Sequence, residues 1–179
     1  MSGAPDGGPA QGAASPLVET GQFKRALARY ATGVVIVSAR AGSHDHAMTA
    51  NSFSAVSLDP PLVLFCVERD ARFHDAVLEA GAFGVSVLAV EQRRIATWLA
   101  TPGRPLIGQL ESVPHERGRL GSALVSGALS WLEAEVRDVH RAGDHSIVVG
   151  EVLHLTLPDD PAPPLLYYRS RYAAGPPAY

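Results

Sequence analysis

The stretch "HDHAMTANSFSAVSLDPPLV", His44 to Val63, decides how the rest of the chain is read. It lies between two apolar runs of strand length, "GVVIVSAR" and "LVLFCVE". Its centre is built instead of Met, Thr, Asn and Ser, with Phe53, Val56 and Leu58 left to serve a core. It closes on Pro60 and Pro61, which cannot donate ladder hydrogen bonds and belong at a strand's edge or start. Thr49, Asn51, Ser52, Ser54 and Ser57 line an extended segment whose neighbours are small. Small side chains let a ligand approach the backbone, and extended backbone offers N–H and C=O groups to a planar heterocycle. Hydroxyls and N–H groups also cradle phosphate without net positive charge. Arg69 and Arg72 follow one strand later and can add charge-assisted hydrogen bonds. The pattern alone admits two readings, a cofactor site or a polar edge strand.

Outward from this stretch, strand and short-helix patterns alternate. "ETGQFKRALARYATG" carries Phe23, Leu27, Tyr30 and Ala31 at helical spacing, with Thr20 as N-cap and Gly33 as stop. "AGSHDHA" has the composition of a hairpin loop, and "LVLFCVE" reads as a strand buried on both faces. "RFHDAVLEAG" predicts a short helix closed by Gly81, and "AFGVSVLA" a strand. "EQRRIATWLA" predicts another helix with Ile95, Trp98 and Leu99 inward. From Thr101 to Leu124 prolines and glycines predict loop, with one strand near Ser112–Arg117. "ALSWLEAEVRDVHRA", shifted by a bulge at Trp131, and "HSIVVGEVLHLTL" flank a Gly143-Asp144 turn; "PLLYYRS" is the last strand. Six or seven strands without a βαβ rhythm predict a closed or partly open antiparallel barrel. No G-x-G-x-x-G turn or P-loop is present, so a nucleotide would be held by other means.

The 179 residues suit one domain with a sizeable core, and 46% hydrophobic against 18% charged excludes a wholly disordered chain. A net charge of −3 without a Lys/Arg block argues against nucleic acid as a partner. No apolar run approaches membrane-span length, so no membrane association is expected. Cys66 is the sole cysteine, which excludes intrachain disulfides and cysteine zinc sites and predicts a reducing, cytoplasmic setting. Residues 1–18 read as a disordered tail lacking a secretory signal, and 173–179 as a flexible end, with the domain between them at 19–172.

Other candidates for chemistry have plainer readings. His44, Asp45 and His46 lie in the expected hairpin loop without a third ligand, so they read as solvated turn residues and no metal is expected. His74 and His115 read as surface polarity. Cys66 sits in an apolar strand without a cationic neighbour, as inert thiols do. No G-x-S-x-G elbow supports serine catalysis, and "GDHS", Gly143 to Ser146, is by itself a turn opening a strand.

"FKRALARYATGVVIVSA", M-T-A-N-S-F-x-x-V-S-x-x-P-P, G-D-H-x-I-x-x-G-E-V and "PLLYYRSRY" together resemble the flavin reductase-like family, over roughly Phe23 to Tyr172. The resemblance implies a mainly β protein with short helices, a Greek-key split β-barrel of the FMN-binding type. It implies a homodimer with flavin near the subunit interface. It also implies an enzyme, an NAD(P)H-dependent flavin reductase. Such a reductase passes hydride from nicotinamide C4 of NADH or NADPH to N5 of FMN or FAD, and supplies reduced flavin to a partner monooxygenase. By matching positions, Thr49, Ala50, Asn51 and Ser52 are expected along the isoalloxazine ring and ribityl chain. Cys66 and Val67 are expected beside the ring through backbone groups, Arg72 at the phosphate end, and Ser86 in contact with the flavin. His145 is expected on the nicotinamide side as an assisting catalytic group, with Tyr172 closing over the site. Met48, Ser57, Arg69, Phe73 and Asp144 complete the expected cofactor-binding set. The chemistry needs no protein nucleophile, only two rings stacked about 3–3.5 Å apart.

Two departures from the family pattern stand out. "RDARF" puts Asp70, Ala71 and Phe73 where relatives commonly carry hydroxyls, which bears on flavin affinity and on the choice between FMN and FAD. "GRPLIGQL" replaces the usual Phe-containing run within Thr101–Leu120, and no site residue is assigned there. The alternative to a reductase is a flavin-binding split-barrel protein without turnover.

Overall fold

A computed structural model describes residues 18–105, 107–158 and 162–176. Apart from Val18, the expected N-terminal tail lies outside the described residues. Helix α1 (Thr20–Leu27) is capped by Glu19, not Thr20, and ends before Gly33 because Thr32–Gly33 (β1) is drawn into a strand pair. Its Phe23 and Leu27, with nearby Tyr30, stay exposed on the chain. Strands β2 (Val35–Ala41) and β3 (His44–Ala50) form a hairpin over Gly42 and Ser43. Gly42 takes a φ of +55°, which glycine adopts without strain. The turn is so tight that His44, Asp45 and His46 belong to β3 and not to a loop. β4 (Ser54–Leu58), a cis Asp59–Pro60 bond and β5 (Pro61–Glu68) follow. Helix α2 (Arg72–Ala80) is closed by left-handed Gly81, and β6 (Ala82–Val87) comes next.

Helix α3 (Arg93–Ala100) buries Ala96 and Leu99 with Ile95 half-buried, whereas Trp98 points outward far enough for Nε1 to donate to the Gln109 carbonyl at 2.9 Å. Short strands β7 (His115–Arg117) and β8 (Ala123–Val125) pair; β7 falls where one strand was expected near Ser112–Arg117, and β8 at the end of the stretch read as loop. The long hairpin of β9 (Ser130–Ala142) and β10 (His145–Thr156) has its irregularities at Arg137 and Leu153. Trp131 pairs in register with Ser86 and Thr156 and needs no bulge. β11 (Leu165–Tyr168) pairs with β1 on one side and with β12 (Arg171–Ala174) on the other, so regular structure runs into the segment expected as a flexible end.

The main sheet has the order β3-β2-β6-β9-β10-β5-β4, every neighbouring pair antiparallel. Its two edge strands, β3 and β4, are consecutive in the chain, joined by Asn51–Phe53 alone. Seven strands laid flat at about 4.8 Å spacing are roughly 29 Å wide, and the link reaches roughly 14 Å at full extension. The sheet must therefore curl until its edges meet. The stretch His44 to Val63 is thus the seam of a barrel.

Inside lie Val35, Val37, Phe65, Phe83 and Val148, with Phe73 and Val77 of α2 packed on them; Phe65 meets Phe83 edge-on at 5.0 Å. A second cluster of Val34, Ile36, Leu88, Leu99, Val125 and Leu165 covers the outer face of β2 beneath α3 and β8. β2 is consequently buried on both faces. β5 is not: Val63, Phe65 and Val67 are buried, while Leu62, Leu64 and Cys66 are half-buried, with no helix among the described residues covering them.

Candidate functional site

Beside the seam a cleft of about 630 Å³ opens between β3, the end of β5, the start of α2 and the segment after α3. Met48, Thr49, Ala50, Asn51 and Ser52 line it from the end of β3 and the bend beyond. Cys66 and Val67 line it from β5, Arg72 and Phe73 from α2, and His145 from the start of β10. Residues far apart in sequence meet here because barrel closure brings the β3 edge to β5.

The hydroxyls largely serve the fold. Thr49 Oγ1 donates to the Ala96 carbonyl at 2.8 Å and fastens β3 to α3. Ser52 Oγ accepts the Cys66 N–H at 3.1 Å and donates to the Cys66 carbonyl at 3.2 Å. β4 pairs with β5 only as far as Leu64, so the Ser52 hydroxyl takes over the ladder at Cys66. This corrects one expectation: the Cys66 N–H is engaged at the seam and is not a free donor to a ring. The Asn51 amide, exposed on the bend, has no hydrogen-bond partner among the described residues and is open to a ligand.

Five expected contacts lie outside the cleft. Ser57 Oγ accepts the Asp59 N–H at 3.2 Å in the β4–β5 turn. Ser86 points to the opposite side of the barrel wall, where its buried hydroxyl accepts the Val125 N–H at 2.9 Å. Arg69 is exposed, and its N–H donates to the Asp144 carbonyl at 3.0 Å. Tyr172 packs on Tyr167 at 5.4 Å in the small sheet; burial raises the pKa of its phenol, Tyr167 adds to the rise and Arg93 opposes it. Asp144 is exposed and acts through its neighbour: Oδ1 lies 2.7 Å from His145 Nδ1, which leaves Nε2 as the other ring nitrogen. That contact holds the Asp144 carboxyl below the usual carboxylate range.

Several lining residues carry no expectation from sequence, among them Glu68, Thr101, Gly103, Arg104 and Gln109; His46, read as a solvated turn residue, and Asp70 and Ala71 of the divergent "RDARF" run line it too. Arg104 is the most connected. Its Nη1 donates to the Thr101 carbonyl at 2.6 Å and its Nη2 to the Ala47 carbonyl at 3.1 Å. Its own carbonyl accepts from Arg72 Nη2 at 2.6 Å. The available signal was an arginine in a Pro/Gly turn directly after a helix that packs on β3. His74 is also displaced from the surface, with Nε2 3.0 Å from Ser146 Oγ and Nδ1 3.0 Å from Asp75.

This end of the cleft carries two guanidinium groups, Arg72 and Arg104, with the Asp70 carboxylate also on the lining. Among the described residues, no carboxylate forms an ion pair with Arg72 or Arg104. Burial, and then the nearby Arg72 charge, holds the Arg104 pKa below the usual arginine value. Burial likewise lowers the pKa of His46, with His44 and Arg72 adding to the effect while Glu79 and Asp45 oppose it. Arg104 Nε and His46 Nδ1 are buried without hydrogen-bond partners. Helix α2 adds the N–H groups of Arg72 and Phe73, since Ala71 offers no side-chain cap, while the His74 N–H is taken by the Ala71 carbonyl at 2.9 Å. Small residues along one wall and positive charge at one end suit a flat ligand that carries an anionic group.

Residues 27–176 match the family described as flavin reductase like domain. The chain belongs to the flavin reductase-like family. This flavin reductase-like chain is 40% identical, over 84% of its length and 93% of the other protein, to the reductase component of 4-hydroxyphenylacetate 3-monooxygenase from Thermus thermophilus. It is 39% identical to an NADH-dependent FAD reductase from Streptomyces globisporus, over 75% of each chain. Among solved structures it resembles the flavin reductase component of a bacterial two-component tryptophan halogenase, with a TM-score of 0.84 and 41% identity over 89% of this chain and 100% of that one. A Streptomyces globisporus NADH:FAD oxidoreductase solved with NAD and FAD fragments matches with a TM-score of 0.81 and 34% identity, over 89% and 96% of the two chains. The architecture is that of these split-barrel flavin reductases.

Proposed function

We propose that this chain is an NAD(P)H-dependent flavin reductase that reduces FMN or FAD and supplies the reduced flavin to a partner monooxygenase. The observation that carries this reading is the cleft at the barrel seam, with a small-residue wall and a cationic end, in a member of this family. The residues present fit a flavin, because an unpaired cationic end with orphaned nitrogens calls for an anion such as its phosphate. When bound, a flavin accepts hydride at N5 from C4 of a reduced nicotinamide.

The chain's own work is positioning. Ser52 and Thr49 lock the bend, so that Asn51 presents a free amide and Ala50 leaves room for a ring. Arg72 and the first turn of α2 receive the phosphate end. Asp144 fixes His145 by Nδ1, and His145 holds the nicotinamide carboxamide or a proton at Nε2. Names such as "NADH-dependent FAD reductase" among relatives favour NADH as donor. Relatives named as the reductase component or reductase subunit of a monooxygenase support the oxygenase partner. The exposed apolar residues Leu58, Leu155 and Leu157, with the uncovered outer face of β5, support a homodimer. The sole cysteine, Cys66, supports a cytoplasmic setting. Among the described residues no helix is long and apolar enough to cross a membrane.

The test is NADH and NADPH oxidation by purified protein, with FMN and FAD each supplied. Flavin-dependent oxidation is expected with at least one pair. Failure of all four pairs overturns the reductase reading, and flavin binding without consumption points instead to a carrier.

A further inference from the structure

Arg104 lies in a segment to which sequence reasoning assigned no site, yet its charge has no obvious use in the fold. A staple from the loop to β3 needs only hydrogen-bond donors, and a neutral amide serves that purpose. Here the staple is a half-buried guanidinium beside a second guanidinium, with no carboxylate paired to either among the described residues. Of the donors a guanidinium carries, two reach the Thr101 and Ala47 carbonyls, and Nε is buried without a partner. A charge held this way is costly until an anion arrives, and a planar fork suits phosphate oxygens in particular.

Two ligands of the proposed reaction carry phosphate, the flavin and the nicotinamide nucleotide. Position favours the flavin. Ala47, where Arg104 docks, precedes Ser52 by five residues, roughly 16 Å along an extended strand. His145 pairs with Glu68, close to the Ser52–Cys66 seam, so the nicotinamide end of the cleft is the Ser52 end. A flavin ring near the seam would send its phosphate toward Ala47 and Arg104.

Resting on the flavin reductase reading, we propose that Arg104 and Arg72 together clamp the flavin phosphate. Arg104 then makes this chain selective for phosphorylated flavins over riboflavin. The experiment measures dissociation constants for riboflavin, FMN and FAD by fluorescence quenching in wild type, Arg104→Met and Arg104→Lys, with the KM for NADH alongside. Arg104→Met keeps the side-chain stem, and riboflavin, which lacks phosphate, reports whether the cleft remains folded. Loss of charge-assisted bonds predicts FMN and FAD binding roughly ten- to a hundredfold weaker in Arg104→Met. Riboflavin should stay within about twofold, and Arg104→Lys, with its charge but without its fork, should fall between. Equal loss for riboflavin and FMN, or no loss for either, overturns the clamp. A rise confined to the KM for NADH overturns it too, by moving Arg104 to the nicotinamide nucleotide. If wild type binds no flavin at all, the flavin reductase reading falls first and the clamp falls with it.

Discussion

Replacing Ser52 with alanine tests whether one hydroxyl closes this barrel. Ser52 Oγ both accepts from and donates to the Cys66 backbone, at 3.1 and 3.2 Å, where the β4–β5 ladder has already ended. Removing it deletes two hydrogen bonds worth about 1 kcal/mol each and leaves an unmet N–H at the seam. Ser52 is half-buried, so water partly replaces the lost partner and the net cost should be about 2 kcal/mol. For a chain of this size that lowers Tm by roughly 4–8 °C. Urea unfolding should be followed at one fixed protein concentration, because the stability of the proposed homodimer depends on it. The midpoint should fall with m unchanged. Ser52→Thr, which restores a hydroxyl, should recover most of the loss. Cys66→Ala keeps both backbone groups and trims a half-buried side chain, so it should cost less than Ser52→Ala. A Ser52→Ala protein within about 0.5 kcal/mol of wild type, or a Cys66→Ala protein equally destabilised, refutes the seam argument.

Gly150→Ala sets a Cβ 2.5 Å from the Phe83 ring inside the barrel, so a loss of about 2–3 kcal/mol by thermal or urea unfolding is expected. His145→Ala should lower NAD(P)H turnover while flavin affinity is spared, and steady-state kinetics with unchanged turnover remove His145 from the reaction. The hydrogen bond from Arg117 holds the Asp45 carboxyl below its usual range; burial opposes this, and the Arg117 and Arg40 charges add to it. A carboxylate with a depressed folded-state pKa contributes stability above its unfolded pKa and loses it as pH falls through the folded value. Asp45→Asn should therefore cost a little at pH 7, below about 1 kcal/mol for so exposed a pair, and nothing at the acid end of the unfolding profile, once pH has fallen through the folded value. Equal destabilisation at both ends would count against the ion pair as its cause.

Much of the fold was legible because strand and helix periods are local. Helix α2 and its Gly81 stop, strand β6 and the Gly143-Asp144 turn follow from apolar spacing and glycine placement. The polar bend Thr49–Ser52 marked the cleft wall, since so many hydroxyls are out of place in a packed strand. The errors came where distant partners rule. Ser86 lies on a strand with two buried faces, and only the packing of β8 shows which face its hydroxyl takes. Cys66 was expected to offer its backbone to a ligand, and only the closed seam shows that Ser52 has engaged its N–H.

The sequence by itself determined a mainly antiparallel β protein, without a Rossmann turn, P-loop or cysteine metal site, and with a polar segment awaiting a ligand. Those features depend on residue type and short-range spacing. Tertiary structure alone decided that β3 and β4, neighbours in the chain, stand at opposite edges of the sheet and meet only by its curling. It alone brought Arg104 to Ala47 and Arg72, because the electrostatics of a cleft sum over charges that sequence distance does not order. A short link forces closure, and closure creates the cleft.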